Sequence, residues 1–197
     1  AAQPADPHAD HRVHETPAAK KLTQAQAAFE RLKAVEGTWR GKSTKGWEED
    51  QEYKVIAGGS VLMQTTVGAH GPEMMASMFH LDGPDRLILT HYCIAKNQPR
   101  LLATEFADDG SQVTFTFLDG TNMKSREAGH MDKAKFVFAQ DGTFSSQWTW
   151  YQGGKESWME EITHSRAQPA VIPDAEARAG AAVVAAVIVV VAVVVSG

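Results

Sequence analysis

The chain has 197 residues, with 19 basic and 24 acidic side chains, a formal net charge of −5 and a single cysteine. No basic stripe is present to hold phosphates, which excludes a nucleic-acid-binding class. One cysteine excludes an internal disulfide and any paired-cysteine zinc site, and the length suits one domain with extensions.

Residues 1–21, beginning "AAQPADPHADH", are rich in Ala, Pro, His and Asp and show no apolar period, so they read as an extended arm. The small, polar start resembles that of an exported protein after signal-peptide cleavage, and the expectation is an extracytoplasmic, periplasmic domain. His8, His11 and His14 stand three apart and are candidate metal ligands, since neutral imidazoles suit Zn, Cu or Ni. Their plain alternative is a solvated polar arm, because one arm offers no packed outer shell to orient the rings.

"LTQAQAAFERLKAVEG" follows. Thr23 is the expected N-cap, Phe29, Leu32 and Val35 recur at helical spacing, and Gly37 is the expected stop. From Gly37 to Arg166 the apolar period changes to two. Strands are predicted over 38–45, 48–57, 60–69, 73–82, 86–95, 100–107, 111–119, 130–140, 143–152 and 156–165. The breaks between them, such as "AGGS", "LDGPD" and "AQDGT", carry the Gly and Asp-Gly pairs that tight hairpins need. Ten short strands without crossover helices make an all-β antiparallel meander. Closing it into a barrel over 22–167 removes the exposed edges.

Alternation assigns faces. Leu87, Leu89, His91 and Cys93 share one; Phe136 and Phe138 point with His130 and Asp132; Phe144, Trp148 and Trp150 go together; so do Trp158, Glu160, Ile162, His164 and Arg166.

After a linker at 168–180, the tail at 181–197, "AAVVAAVIVVVAVVVSG", has no charged residue. As a helix its apolar run rises about 22 Å, short of a membrane core of about 30 Å. The expectation is nonetheless a transmembrane segment over 181–195, packed among neighbouring helices. Its Val content also suits a strand donated to a partner, and its monotony suits small residues standing in for another natural sequence.

"EGTWRG", from Glu36 to Gly41, resembles the opening of the calycin superfamily of lipocalins, fatty-acid-binding proteins and nitrobindins. The stretches "FHLDGPDRLILTHYCIAKNQPRL" and "FLDGTNMKSREAGHMDKAKFVFAQDGTFSSQWTWYQGGKE" are similar to bacterial exported lipocalin-like proteins. The resemblance covers about residues 29 to 166. It implies a calycin-like barrel in which Trp39 closes one end beneath a basic side chain from the last strand, with Arg166 in that place. Nitrobindin-type proteins bind haem through a histidine. No histidine here matches theirs residue by residue, so no cofactor is carried over.

His91, His130, His164 and Glu160, with Trp148 and Trp150 as walls, are the candidate ligand-binding residues inside such a barrel. Their ordinary alternative is histidines bonded to backbone and aromatics filling a core. Cys93 beside His91 suggests a thiol–imidazole pair, but no third group or oxyanion loop accompanies it. G-x-S-x-G, phosphate-loop and H-E-x-x-H patterns are absent from the sequence. The expected function is therefore non-catalytic: a membrane-anchored accessory subunit that binds the other subunits of a membrane protein complex. The alternative expectation is a lipocalin-type binder of a small apolar ligand, a lipid or haem.

Overall fold

The computed structural model describes residues 21–68 and 71–167. The arm with His8, His11 and His14, the linker and the tail therefore lie outside the described residues.

Helix α1 spans Gln24–Lys33. Thr23 starts it with a full capping box: its hydroxyl accepts from Gln26 N–H, and the Gln26 side chain accepts from Thr23 N–H. Ala34, not Gly37, is the C-cap, and the helix stops three residues before the glycine expected to end it. Gly37 instead opens the first strand at φ +128, where a Cβ would lie 2.5 Å from the Arg166 guanidinium. That glycine answers a close approach, not a helix end.

Ten strands follow: β1 (Gly37–Ser43), β2 (Glu48–Ile56), β3 (Val61–Gly68), β4 (Gly71–Leu81), β5 (Leu87–Tyr92), β6 (Gln98–Phe106), β7 (Gln112–Thr121), β8 (His130–Phe138), β9 (Phe144–Gln152) and β10 (Lys155–Arg166). Each pairs antiparallel with its chain neighbour, and β1 also pairs with β10, so the sheet is a closed ten-stranded barrel. All ten predicted strands are present. β5 stops short of its expected end because Cys93–Asn97 form a turn, closed by Cys93 N–H donating to Asn97 O at 3.2 Å.

The barrel has two unlike ends. At one, α1 lays Ala25, Ala28, Phe29 and Leu32 against the same core that the strands bury. The Thr23 hydroxyl donates to Pro84 O in the β4–β5 turn, and Trp39 Nε1 donates to Val35 O at 2.7 Å. Above this plug the interior is solid with Tyr53, Leu62, Phe79, Leu89, Phe115, Phe136 and Phe144, the rings meeting edge to face. At the other end, the β5–β6 turn, the β7–β8 loop and the β9–β10 turn form a mouth.

One assignment of faces is corrected by the structure. A bulge in β8 between Met131 and Lys133 breaks the alternation. Phe136 remains inside, but Met131, not His130, joins it in lining the interior. His130 pairs across to Tyr151 and belongs to a separate cluster with the β7–β8 loop. There Arg126 lies between the rings of Phe117 (4.4 Å) and Tyr151 (3.9 Å), bonds His130 Nε2 at 2.6 Å and pairs with Asp132.

Candidate functional site

The interior changes character towards the mouth. β2 turns Glu49 and Gln51 inward, β3 Gln64 and Thr66, β4 Met75 and Ser77, β5 His91, β8 Met131, β9 Trp148, and β10 Glu160 and Ile162. Together they surround a cavity of about 30 Å³, room for one or two waters. Glu49, Gln51, Gln64, His91 and Glu160 are each buried to within 5 % of full enclosure. Neither lysine nor arginine lines the cavity among the described residues.

These groups hold one another in fixed poses. Gln51 Nε2 donates to Glu49 Oε1, which turns the Gln51 amide oxygen away from the carboxylate. That oxygen, buried, meets no donor among the described residues, and neither does Thr66 Oγ1. Ser43 Oγ donates to Glu160 Oε2 at 2.6 Å. His91 Nδ1 shares a hydrogen bond with Ser77 Oγ at 3.0 Å, and its ring lies 5.3 Å from Trp148. Burial, then the nearby Glu160 charge, pushes the Glu49 carboxyl up to about 7 against the opposing pull of the Gln51 bond.

Room for Glu49 comes from the second glycine of "GTWRG". A Cβ on Gly41 would lie 2.8 Å from Glu49 Cγ and 2.9 Å from Ile162 Cγ2. Only a glycine on β1 leaves the carboxylate its place across the strand pair.

Above the polar cavity lies a second, apolar chamber of about 200 Å³, lined by Met75, Cys93, Ile94, Ala95, Met131, Trp150 and Trp158. Met75 and Met131 belong to both chambers and form the partition between them. Trp150 and Trp158 stack in parallel, centroids 6.4 Å apart, as one wall. Gly129 lets Trp150 lie flat against the β7–β8 loop, since a Cβ there would meet the indole at 2.6 Å. Asn97 Nδ2 donates to Gly129 O at 2.7 Å and ties the β5–β6 turn to the same loop. The Cys93 thiol is pushed up by burial, so it is not an activated nucleophile.

Of the residues singled out from sequence, His91, Trp148 and Glu160 meet at the polar cavity and Trp150 lines the apolar chamber. His164 sits deeper, stacked on Phe144 at 4.2 Å and bonded through Nε2 to Ser146 Oγ at 2.9 Å, and burial holds its imidazole down to about 3. It is a neutral core histidine. His130 belongs to the Arg126 cluster described above. Arg166 lies over Trp39, its Cζ 4.3 Å from the ring centroid, and donates to Glu36 O at 2.8 Å. Glu49, Gln51, Gln64, Thr66, Ser77, Met75 and Met131 were not among the expected site residues. Their sequence signal is the inward face of "EEDQEYKV", where Glu49 and Gln51 occupy positions that strict alternation reserves for core side chains.

The chain matches no known protein family in sequence, and no curated protein matches it. In structure it resembles Rv2717c from M. tuberculosis, with a TM-score of 0.52 at 14 % identity, over 75 % of this chain and 100 % of that one. It also aligns with a protein of unknown function from the DUF3598 family of Nostoc punctiforme, with a TM-score of 0.48 at 14 % identity, over 69 % of this chain and 49 % of that one. The first likeness establishes the fold. This ten-stranded antiparallel barrel is consistent with a calycin-like architecture.

Haem, which the nitrobindin resemblance raises, does not fit these residues. His91 faces a space of about 30 Å³ with Trp148 against its ring, and Phe115, Phe136 and Phe144 fill the interior below. A macrocycle would have to displace that packing.

Proposed function

We propose that the barrel is a small-ligand-binding protein, and that its ligand enters the mouth with an apolar body against the stacked tryptophans and a polar group directed at the cavity beneath. One observation carries this reading: an apolar chamber of about 200 Å³ adjoins a polar cavity, and the two methionines that line both are the most adaptable of core side chains. Burying carboxylates costs free energy, and a fold that retains Glu49 and Glu160 side by side at the end of its core spends stability on something other than packing. A long acyl chain is disfavoured, because the aromatic core leaves no channel along the barrel axis. Binding is favoured over catalysis, since the only thiol is not activated and Glu49, Glu160 and His91 are each engaged by a neighbouring side chain.

Cys93 is the single cysteine and lines the chamber, so it reports occupancy. Small amphiphiles that shift the tryptophan fluorescence are expected to slow modification of Cys93 by a thiol reagent. Filling the chamber with Ala95→Phe is expected to abolish both effects. Fluorescence shifts that persist in the filled variant would place the ligand elsewhere and overturn the reading.

A second reading rests on the apolar run at 181–195 in the sequence: the barrel is an exported domain anchored to a membrane beside the other subunits of a complex. Among the described residues no helix is long and apolar enough to cross a membrane, and the run lies outside them. A chain ended at Ala167 is expected to leave washed membranes while the full chain stays with them. Retention of the shortened chain would refute the anchor.

A further inference from the structure

We infer that the polar group of the ligand is a cationic nitrogen, a primary ammonium carried on an aromatic or compact apolar body, received by Glu49, Gln51 and Glu160. The inference rests on the binding reading above and specifies its ligand.

The argument is one of donors and acceptors. Glu49 offers a carboxylate, with one oxygen engaged by its neighbour Gln51. Gln51, 4 % exposed, lines the same cavity, and its buried amide oxygen lacks a donor among the described residues. Thr66 Oγ1, on the neighbouring strand, is likewise buried without a partner. Glu160, already accepting from Ser43, faces Glu49 closely enough that their charges interact. A ligand acid would bring a third negative group into this space with neither lysine nor arginine lining it. A neutral hydroxyl offers one donor and leaves the carboxylate charge uncompensated. An ammonium offers three donors and the opposite charge.

The body of the ligand is equally constrained. Beyond Met75 and Met131 the walls are Ile94, Trp150 and Trp158. A flat ring can lie along the stacked indoles, and a spacer of two or three atoms can carry the nitrogen between the methionines.

Binding should be coupled to a proton. Glu49 faces Glu160 from β10, His91 from β5 and Tyr53 on its own strand, with His164 deeper on β10. Its carboxyl, raised to about 7, is half protonated near neutrality. An arriving ammonium favours the carboxylate, so the Glu49 proton leaves to solvent, and affinity rises with pH until the ligand nitrogen itself deprotonates.

The test uses the full chain and three probes of one shape: 2-phenylethylamine, 2-phenylethanol and phenylacetate, titrated by calorimetry at pH 6 and pH 8. The amine should bind at least tenfold more tightly than either of the others and several-fold more tightly at pH 8 than at pH 6. At pH 6, where Glu49 is mostly protonated, it should release a proton on binding, seen as a dependence of the heat on buffer ionisation, and little of that release should remain at pH 8. Glu49→Gln, checked for a native thermal transition, should remove both the pH dependence and most of the preference. Equal binding of amine and alcohol would leave the chamber as the binding site and overturn the cationic headgroup. So would a preference for the acid. Failure of all three probes to bind, with Cys93 modified at an unchanged rate, would overturn both readings. A preference for the amine that survives in Glu49→Gln would assign recognition to other groups and sink the proposed role of Glu49.

Discussion

Two buried titratable side chains pull the stability of this barrel in opposite directions. The Glu49 carboxyl is raised from 4.5 to about 7, mainly by burial, so the folded state holds its proton more tightly than the unfolded chain does. Its stabilising effect is complete below 4.5 and is lost as pH rises through 7, to the extent of about 3 kcal/mol. His164 is lowered from 6.5 to about 3 by burial, so the unfolded chain holds its proton more tightly. Its contribution is complete above 6.5 and is lost as pH falls towards 3, to the extent of about 5 kcal/mol. Between 4.5 and 6.5 the two slopes oppose each other, and the parent protein is expected to show a nearly flat stability there. Glu49→Gln should expose the histidine slope, with stability rising towards pH 6.5. His164→Gln should expose the carboxyl slope, with stability falling from 4.5 to 7. Urea unfolding at half-unit pH intervals checks both, and a flat profile in either variant would mean that the remaining group titrates alike in both states.

At the scale of elements, the β8 bulge and the β7–β8 loop shape the mouth. The β7–β8 register ends at Thr116 paired with Lys133, and Arg126 fills the space beyond it, between Phe117 and Tyr151 and against His130 and Asp132. A cation held on two ring faces with two polar partners anchors the loop at one point. Arg126→Ala is expected to cost about 1–3 kcal/mol. Amide exchange should quicken across 122–129 while β2 and β3 keep their protection, and uniform quickening would mean that the clamp supports the whole barrel. The strands themselves were legible in sequence because period two and Asp-Gly turns are local signals, and so was the Thr23 cap. The bulge was not, since it depends on two strands parting, and it moved Met131 into the interior in place of His130. The polar cavity was hidden for a related reason. Glu49 and Gln51 share a face with Tyr53 in "EEDQEYKV", but that the face encloses two polar side chains shows only when closure places β10 across from Gly41. Trp148, Glu160 and His91 were visible because aromatic, acidic and imidazole groups stood on faces otherwise apolar.

For the molecule as a whole, the decisive contact is the one that makes a sheet into a barrel. β1 and β10 are separated by nearly the whole domain in sequence, and their pairing runs from Ser43↔Ile162 to Trp39↔Arg166. At its end the Arg166 guanidinium covers Trp39, donates to Glu36 O and occupies the space where Gly37 lacks a side chain. If this cluster is an energetic unit, the effects of Gly37→Ala and Arg166→Ala cannot add. Gly37→Ala alone meets two costs: a φ of +128 that an L side chain rarely adopts, and a methyl 2.5 Å from Nη1 that expels the guanidinium from Trp39. Arg166→Ala alone loses the stack and the bond to Glu36. In the double variant the guanidinium is already gone, so only the backbone cost of the alanine remains to be added. The double variant should therefore be more stable than the sum of the singles predicts, by about 1 kcal/mol or more, within the range that contacting residues show. Denaturant unfolding of the four proteins measures this coupling. Additivity to within about 0.5 kcal/mol would mean that closure is held by the β1–β10 ladder and the plug of α1, with the arginine merely resting on its tryptophan.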